Sequence, residues 1–259
     1  MDRTDTAPRI VTLKDVPDLA DRFRPMKRQI WPPFMFCDPH ADRRWHYLLG
    51  PFARFQFYAL NDAGEPVAAG HSIPCVWDGT MSGLPTGWDD ALIRGGEDCE
   101  AGREANTLVG VEIAILPEFQ RQGLSVRMIR ALRAAAEASG FQALLFPVRP
   151  TLKSRYPLAL MERYVRWTRA DGEPFDPWLR VHCREGAEIL KIGHSSMDIE
   201  ASVEEWEEWA GYPMPESGEY IVDGALVPVQ VDRVAGVGRY IEPNVWVHHP
   251  ITTHRLLPV

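Results

Sequence analysis

The most regular pattern of apolar positions in this chain lies between residues 108 and 148. An apolar run at 108–116 is followed by a polar turn and then by a segment up to residue 140 in which apolar residues recur every three to four positions, as in an amphipathic helix. A second apolar run follows at 143–148. Two strand-length runs on either side of such a helix predict a β-α-β unit, with parallel strands joined by a right-handed crossover.

Segments before this unit predict two helices and a hairpin. Alternation, proline positions and turn residues indicate a strand at 10–13, a helix at 15–30 that is kinked or split at Pro25, a helix at 40–49, and hairpin strands at 53–60 and 66–74. Residues 77–106 are rich in Gly, Asp and Glu, and they predict a long loop with one helical turn at 88–93.

The chain after the unit predicts further helices and strands. The expected helices are 151–167, irregular at Pro157, then 178–188, and a short helix that starts at the capping box of Ser202 and Glu205. The expected strands are 188–197, 220–232 and 244–248. No repeat or linker interrupts the sequence, which favours a single domain, residues 1–259, with an elaborated C-terminal third from about residue 170.

Composition narrows the functional classes. Of the 259 residues 45% are hydrophobic and 25% charged, as in ordinary globular proteins. The N-terminal residues 1–13 have no apolar signal core and no run is long enough to span a bilayer, so we expect a cytoplasmic protein without a membrane partner. A net charge of −8 without a basic stripe argues against nucleic-acid binding. It suits a cationic small substrate, or serves only solubility.

Metal binding is not expected from the sequence. The four cysteines are far apart and form no CxxC pair, which argues against a zinc knuckle and a disulfide framework. The pair His248-His249 has no partners at metal-ligand spacing.

A polar turn at residues 120–125 (QRQGLS) joins the first apolar run to the long helix. The first amides of a helix have no intrahelical acceptor and together attract an anion. Gly123 permits a close approach of the backbone, Ser125 is small, and Arg121 and Arg127 add positive charge, so the turn is a candidate diphosphate site. The alternative is a connection that binds nothing, since the turn matches neither GxxxxGK[ST] nor GxGxxG.

The whole unit resembles motif A of the GNAT superfamily of N-acetyltransferases. That motif is a strand, a proline-containing turn and the pattern [Q/R]-x-x-G-x-[G/A] at the start of a long helix; here Gln120, Gly123 and Ser125 hold the three positions, and Ser125 departs from the usual Gly or Ala. The order of elements from residue 9 to residue 197 is also similar. The resemblance implies an α/β fold with a mixed, largely antiparallel sheet that has a central parallel strand pair and is flanked by helices.

The resemblance further implies direct transfer of an acyl group from acetyl-CoA, or another acyl-CoA, to an amine of a small molecule. It assigns the pantetheine arm to the strand backbone of Ile113, Ala114 and Ile115. It assigns the pyrophosphate to the turn that includes Gln120, and specifically to the amides of Arg121, Gln122, Gly123, Leu124 and Ser125. Alternatives that stay open are a longer acyl-CoA, an acyl carrier protein or an aminoacyl-tRNA as donor, and a non-catalytic binding module. A homodimer is compatible with the sequence.

Candidate catalytic residues are a base and an acid. Glu112 lies in the strand before the motif, where the family often places a general base, although alternation alone would also give it a polar face. Tyr156 follows the second parallel strand, where the family commonly has a tyrosine general acid; the alternative is ordinary packing. His71 is a second candidate base.

Two further groups of residues have open roles. The basic residues after the second parallel strand would contact phosphates or form a solvated face; they are Arg149, Lys153 and Arg155. Aromatic residues would wall an acyl or acceptor pocket or pack in the core; they are Trp31, Phe34, Phe36, Trp77, Trp88, Trp206 and Trp209.

Overall fold

A mixed sheet of nine strands is the main feature of the computed structural model, which describes residues 7–251. Residues 1–6 and 252–259 lie outside it, and with them part of the N-terminal stretch that lacks a signal core. The strands are β1 Arg9–Thr12, β2 Phe57–Leu60, β3 Pro66–Cys75, β4 Thr107–Ile115, β5 Ala143–Val148, β6 Glu188–Ser202, β7 Gly218–Tyr220, β8 Val229–Asp232 and β9 Val237–Pro250.

The strand order is β1-β2-β3-β4-β5-β9-β8-β7, and β6 also pairs with β9. Every pairing is antiparallel except that of β4 with β5. That parallel pairing is short, because only three residue pairs join the two strands: Thr107 with Ala143, Leu108 with Leu144 and Val109 with Leu145. The predicted mixed sheet with a central parallel pair is confirmed.

Helices cover both faces of the sheet. They are α1 Leu19–Phe23, α2 Pro39–Leu49, α3 Trp88–Glu100, α4 Leu124–Ala138, α5 Met161–Tyr164, α6 Pro177–Arg184 and α7 Val203–Ala210. Side chains of β5 alternate between two core clusters: Leu144 and Phe146 pack in the cluster that contains α1, α4 and α6 residues, whereas Leu145 packs in the cluster of α2 and α3. The faces of the central strands are therefore buried on both sides.

The loop expected at 77–106, with a single helical turn at 88–93, is wrong in its second half, because residues 88–100 form the helix α3. Two glycines and two acids of this segment are buried in the helix: Asp89, Gly95, Gly96 and Asp98. A Cβ atom at Gly95 would lie 2.5 Å from Ile73, and one at Gly96 would lie 2.8 Å from Tyr47. Glycine is used here for close packing of a helix against β3 and α2, which the sequence pattern does not distinguish from a turn.

The helices expected at 15–30 and 151–167 are divided near Pro25 and Pro157, as predicted, but both are shorter than expected. The first is α1 followed by a 3-10 helix at Arg24–Gln29, which has Pro25 in its first turn. The second is replaced by a 3-10 turn at Lys153–Arg155 and the short α5, since Pro157 cannot donate the hydrogen bond that a continuous helix needs. The strand expected at 53–60 begins only at Phe57, after a 3-10 turn.

The C-terminal third extends the same sheet. The long strands β6 and β9 pair from Glu188–His248 to Ser202–Val237, with two register shifts. The capping box of Ser202 and Glu205 begins α7 as predicted. Trp206 is fully buried in a third core cluster, and its indole N–H donates to Gly238 O at 2.8 Å. The interpretation of Trp206 as core packing rather than as a pocket wall is thus confirmed.

Two buried carboxyl groups meet where α2 and α3 begin. Asp38 Oδ1 accepts the amides of His40 and Ala41 and so caps α2. Asp38 Oδ2 and Asp89 Oδ1 have no N–H donor among the described residues, and the two carboxyl groups contact each other. Burial, together with the neighbouring Asp38 charge, raises the pKa of Asp89 to about 9. Asp89 therefore keeps its proton at neutral pH and donates it to Asp38.

This pair predicts a loss of stability at alkaline pH. A pKa that is raised in the folded state means that the folded chain holds a proton which the unfolded chain has lost above about pH 4. The stabilisation from this group is complete below that pH and falls as the pH rises towards 9, by up to about 1.4 kcal/mol per pH unit. Asp89→Asn should flatten this slope in urea unfolding at pH 6, 7.5 and 9. Asp90→Asn is the control, because Asp90 pairs with Arg94 and is not part of the pair; if both variants keep the wild-type slope, Asp89 does not hold the proton.

No helix among residues 7–251 is both long enough and apolar enough to cross a membrane.

Candidate active site

A β-bulge in β4 organises the site. His71 of β3 pairs with Glu112, whereas the next residue, Ser72, pairs with Gly110, so Val111 has no partner in β3. The indole N–H of Trp88, the first residue of α3, donates to Val111 O at 2.7 Å. A hydrogen bond from α3 therefore holds the bulge in place. Because Glu112 is the residue next to the bulged Val111, the bulge sets the side of the strand to which the Glu112 side chain points.

Glu112 carries a carboxylate whose side chain is only 9% exposed. Its Oε2 accepts from Lys27 Nζ at 2.6 Å, and its Oε1 accepts from Trp31 Nε1 at 2.8 Å. Lys27 Nζ also lies 4.5 Å from the centre of the Trp45 ring, which is a cation–π contact. The site therefore holds an ammonium group between a carboxylate and an aromatic face.

His71 lies behind the carboxylate, with Nε2 at 3.4 Å from Glu112 Oε2. Its other nitrogen, Nδ1, lies 3.1 Å from Gln56 Oε1. Gln56 donates both N–H groups to the carbonyls of Phe52 and Ser72 and accepts the Ser72 amide, so its Oε1 can only accept from His71. Nδ1 therefore carries the hydrogen. Burial, and secondarily the Lys27 charge, hold the pKa of His71 well below its usual value, so the ring is neutral with its free lone pair at Nε2.

The strands β4 and β5 diverge on the side of Glu112. Their pairing ends at Val109 and Leu145, whereas β4 continues to Ile115 and still pairs with β3 on its other edge. The backbone edge of 110–115 that faces β5 has no strand partner within residues 7–251. Of the three predicted residues, Ile113 and Ile115 direct their backbone groups to this edge, whereas Ala114 directs its own towards Ala69 of β3.

The divergent edge leads to the N-terminus of α4. Arg121 and Gly123 both have positive φ angles, 61° and 75°, and these tighten the turn. In the described part of the chain the amides of residues 121–126 donate to no backbone or side-chain acceptor, and no side chain caps α4. Gln120 and Gln122 brace the turn by donating to the carbonyls of Ile115 and Glu118. The turn therefore presents a cluster of free N–H groups at the positive end of a 15-residue helix.

Most of the basic residues suggested for phosphate contacts are committed elsewhere. Arg127 donates to Pro8 O at 2.6 Å. Arg149 pairs with the fully buried Glu242 at 2.8 Å. Lys153 is itself buried and donates to the carbonyls of Tyr156 and Leu226, and burial lowers its pKa to about 8. The interpretations of Arg149 and Lys153 as phosphate contacts or as a solvated face are wrong, because both side chains fasten the segment after β5 to the C-terminal third.

Tyr156 lies at the end of the 3-10 turn after β5, in a cluster of aromatic rings with Tyr164, Trp167 and Phe175. The residue is 39% exposed, and its hydroxyl makes no hydrogen bond with the described residues. The neighbouring Tyr164 hydroxyl, in contrast, donates to Asp176 at 2.8 Å. Tyr156 does not contact Glu112 directly, and its free hydroxyl is available to a substrate.

Sequence reasoning singled out Glu112, His71 and Trp31, but it missed Lys27 and Gln56. Lys27 and Glu112 are separated by 85 positions, and no local pattern relates them. Gln56 gave a usable signal, since it is a polar side chain within the otherwise apolar hairpin segment FQFYAL. A polar residue at such a position is buried only if its hydrogen bonds are satisfied, which here is the case. No group of three or more His, Cys, Asp or Glu residues that could hold a metal is found in residues 7–251.

Comparison with known proteins defines the class. No model of a known protein family matches the sequence. The chain is 36% identical, over 261 residues, to the arginine N-acetyltransferase avaD of Aspergillus versicolor, and the match covers 90% of this chain and 89% of that protein.

Two solved structures are similar in fold. The loading GNATL domain of CurA from Lyngbya majuscula has a TM-score of 0.61 and 16% identity, with coverage of 94% of this chain and 97% of that one. The GphF GNAT-like decarboxylase in complex with isobutyryl-CoA has a TM-score of 0.55 and 18% identity, with coverage of 94% and 100%.

The fold and the relative together define an acyl-CoA-dependent N-acyltransferase that transfers groups other than aminoacyl groups. The chain belongs to the GNAT family of N-acetyltransferases. The alternatives of an aminoacyl-tRNA donor and of a non-catalytic binding module are thereby set aside.

Proposed function

We propose that this enzyme transfers an acyl group, with acetyl as the first candidate, from acyl-CoA directly to the primary amine of a small molecule. The observation that carries this proposal is the buried carboxylate of Glu112, which already binds an ammonium group beside the face of Trp45. The same carboxylate and aromatic face are suited to hold the ammonium of an acceptor that takes the place of Lys27 Nζ. Glu112 then takes a proton from that amine, and the amine becomes a nucleophile.

The acyl-CoA substrate fits the divergent edge of β4 and the turn before α4. The backbone groups of Ile113 and the amide of Ile115, which face away from β3, would pair with the amide groups of the pantetheine arm, as a strand would, whereas Ala114 pairs with Ala69 of β3. The free amides of residues 121–125 would bind the pyrophosphate, because the orphan N–H groups and the helix dipole both favour an anion there. The thioester would then lie along the β4 edge, towards the bulge and Glu112.

The reaction needs two proton transfers, one from the attacking amine and one to the leaving thiolate. The C–N bond forms while the C–S bond breaks, the amine loses its proton to Glu112, and the leaving thiolate takes a proton from a nearby acid. We assign that acid to Tyr156, whose hydroxyl is exposed and makes no hydrogen bond with residues 7–251. A tyrosine hydroxyl is one of the groups that can donate a proton to a leaving thiolate.

The acceptor we would test first is arginine or a small molecule that contains it. The relative from Aspergillus versicolor carries arginine in its name, and the match covers most of both chains. A net charge of −8 and the aromatic residues around Glu112 favour a cationic acceptor over an anionic one. We also propose that residues 1–259 act as one domain, because the C-terminal strands continue the sheet that carries the site.

A panel of amines tests the activity. The wild-type chain would be incubated with acetyl-CoA and, in separate reactions, with arginine, lysine, a neutral amino acid amide, an aromatic monoamine and a protein N-terminal peptide, while CoA release is followed with a thiol reagent. The proposal expects CoA release that depends on a small cationic amine and a product whose mass is higher by one acetyl group. Release with the peptide alone, or no release with any amine and any short acyl-CoA, would overturn it.

Tyr156→Phe is expected to lower kcat by about 10- to 100-fold while the Kd for acyl-CoA stays unchanged, because only the protonation of the thiolate is affected. Tyr164→Phe is the matched control in the same aromatic cluster. Its hydroxyl donates to Asp176, so this variant should lose stability but keep kcat. Tyr156 would be removed from the mechanism if kcat of the Tyr156→Phe variant equalled that of the wild type.

A further inference from the structure

The contact between His71 and Glu112 brings two proton acceptors together. His71 Nδ1 carries its hydrogen towards Gln56, so the neutral ring presents only a lone pair at Nε2. That lone pair lies 3.4 Å from Glu112 Oε2, which is also an acceptor. His71 is only 1% exposed, and nothing in the described chain donates to its Nε2. The gap between the two atoms is therefore a place for one additional proton.

The proposed acceptor amine supplies two protons rather than one. An amine that enters as an ammonium loses its first proton before it can attack, and it loses the second as the amide forms. A single carboxylate holds only one of them. The leaving thiolate consumes one proton, through Tyr156, and the other leaves to solvent. A second acceptor in the site spares Glu112 from releasing the first proton to solvent before it takes the second.

We propose that His71 is the second proton acceptor of this site, and that it acts through Glu112. Glu112 Oε2 takes the first proton from the acceptor ammonium and passes it to His71 Nε2, so the O–H bond breaks as the N–H bond forms. The resulting imidazolium donates to Gln56 Oε1 and to the Glu112 carboxylate, which is free to take the second proton. The inference rests on the proposed function, because it assumes an amine that enters with its charge.

The surroundings of His71 suit a temporary store. The charged or titratable groups that face the ring are Glu112 from β4, Lys27 from the segment after α1, and Tyr58 from β2, whose ring centre lies 5.5 Å away. Trp45 of α2 covers the ring at 5.2 Å and carries no charge. Burial and the Lys27 charge keep the imidazole neutral at rest. An acceptor that takes the place of Lys27 Nζ removes that charge, and the Glu112 carboxylate then faces the imidazolium at 3.4 Å. We therefore expect the ring to take up a proton when the acceptor ammonium has protonated Glu112, and not in the resting site.

Two substitutions separate proton storage from structural support. His71→Asn keeps an N–H donor at the position of Nδ1 for Gln56, and His71→Gln places an N–H donor near the position of Nε2 for Glu112. Neither side chain can take up a proton. Both variants are expected to lower kcat/KM for an α-amine acceptor at pH 7 by about 100-fold, at the lower end of acid–base effects.

The deficit should depend on pH in a particular direction. An α-amino group has a usual pKa of about 8, so at pH 9.5 the acceptor arrives neutral and gives up only one proton. We expect the ratio of wild-type to variant kcat/KM to fall from about 100 at pH 7 towards about 3 at pH 9.5. A ratio that stays the same at both pH values would show that His71 only supports the structure, and would overturn the proposal. An inactive wild type with every amine would instead overturn the proposed function.

Nitrogen NMR of the wild-type chain, labelled with ¹⁵N-histidine, gives a readout that does not depend on activity. The signals of His71, assigned by their loss in His71→Asn, should show a hydrogen on Nδ1 and a free Nε2 at pH 7. A hydrogen on Nε2 at pH 7 would remove the lone pair on which the relay depends.

Discussion

Gly123→Glu is expected to weaken acyl-CoA binding at least about 100-fold, the equivalent of about 3 kcal/mol. Gly123 lies at the N-terminus of α4 among the free amides of residues 121–126, and a Cβ atom there would meet open space. A carboxylate at this position would occupy the amides and repel the pyrophosphate. Each charge-assisted hydrogen bond that is lost contributes about 1.5–3 kcal/mol. Isothermal titration calorimetry with acetyl-CoA measures the effect.

Gly140→Glu is a matched control at the other end of α4. Gly140 also has a positive φ, 72°, is exposed and has open space around a Cβ atom. Both variants therefore carry the same added charge and the same backbone strain of about 1–2 kcal/mol. Only Gly123→Glu should lose the cofactor; equal affinities of the two variants would show that the pyrophosphate does not bind at this turn.

Glu112→Gln is expected to lower kcat by about 10²- to 10⁴-fold, the usual contribution of a general base, with little change in the Kd for acyl-CoA. The amide keeps the size of the side chain but cannot take a proton. The substitution also leaves Lys27, whose side chain is only 15% exposed, without the carboxylate that pairs with its ammonium group. An unpaired charge at a largely buried position destabilises the fold.

The double variant Lys27→Met and Glu112→Gln separates the two effects. Removal of both charges should restore much of the lost stability, since no buried charge is left unpaired, while kcat stays low. The single variant Lys27→Met should retain more activity than Glu112→Gln. If the double variant recovered wild-type kcat together with stability, Glu112 would be structural and not the base.

The turn at 120–125 is the part of the site that could be predicted from neighbouring sequence positions alone. Its glycine, its small residue after the glycine and the amphipathic helix that follows are all contiguous in sequence, and the structure places them as a turn with free amides. Glu112 could be named as a candidate because it lies on the strand that leads to the turn. Binding of the pyrophosphate by the amide of Ser125, which stands where the motif usually has Gly or Ala, stays a prediction.

The surroundings of Glu112 lie beyond the reach of local patterns. Lys27, Trp31, Trp45 and His71 come from three separate segments, and the first two reach Glu112 across 85 and 81 positions. Pro25 and Pro157 lie in stretches whose apolar spacing is helical, and their missing N–H groups divide these stretches where the sequence predicted an irregularity. The lengths of the resulting helices could not be predicted from the spacing. For α3 the composition favoured a loop where the structure has a helix, because its glycines and acidic residues are typical of loops but are partly buried here.

By itself the sequence determined the β-α-β unit and the turn before α4, because both depend on periodicity and on residues that are neighbours in the chain, whereas the mixed sheet was implied by the resemblance to the GNAT superfamily. The tertiary structure alone decided where β4 and β5 diverge, which side chains surround the Glu112 carboxylate, and which nitrogen of His71 carries the hydrogen. These properties depend on strand register, on a bulge held by Trp88 and on hydrogen bonds between distant segments. They are fixed only when the helices of both layers pack on the sheet.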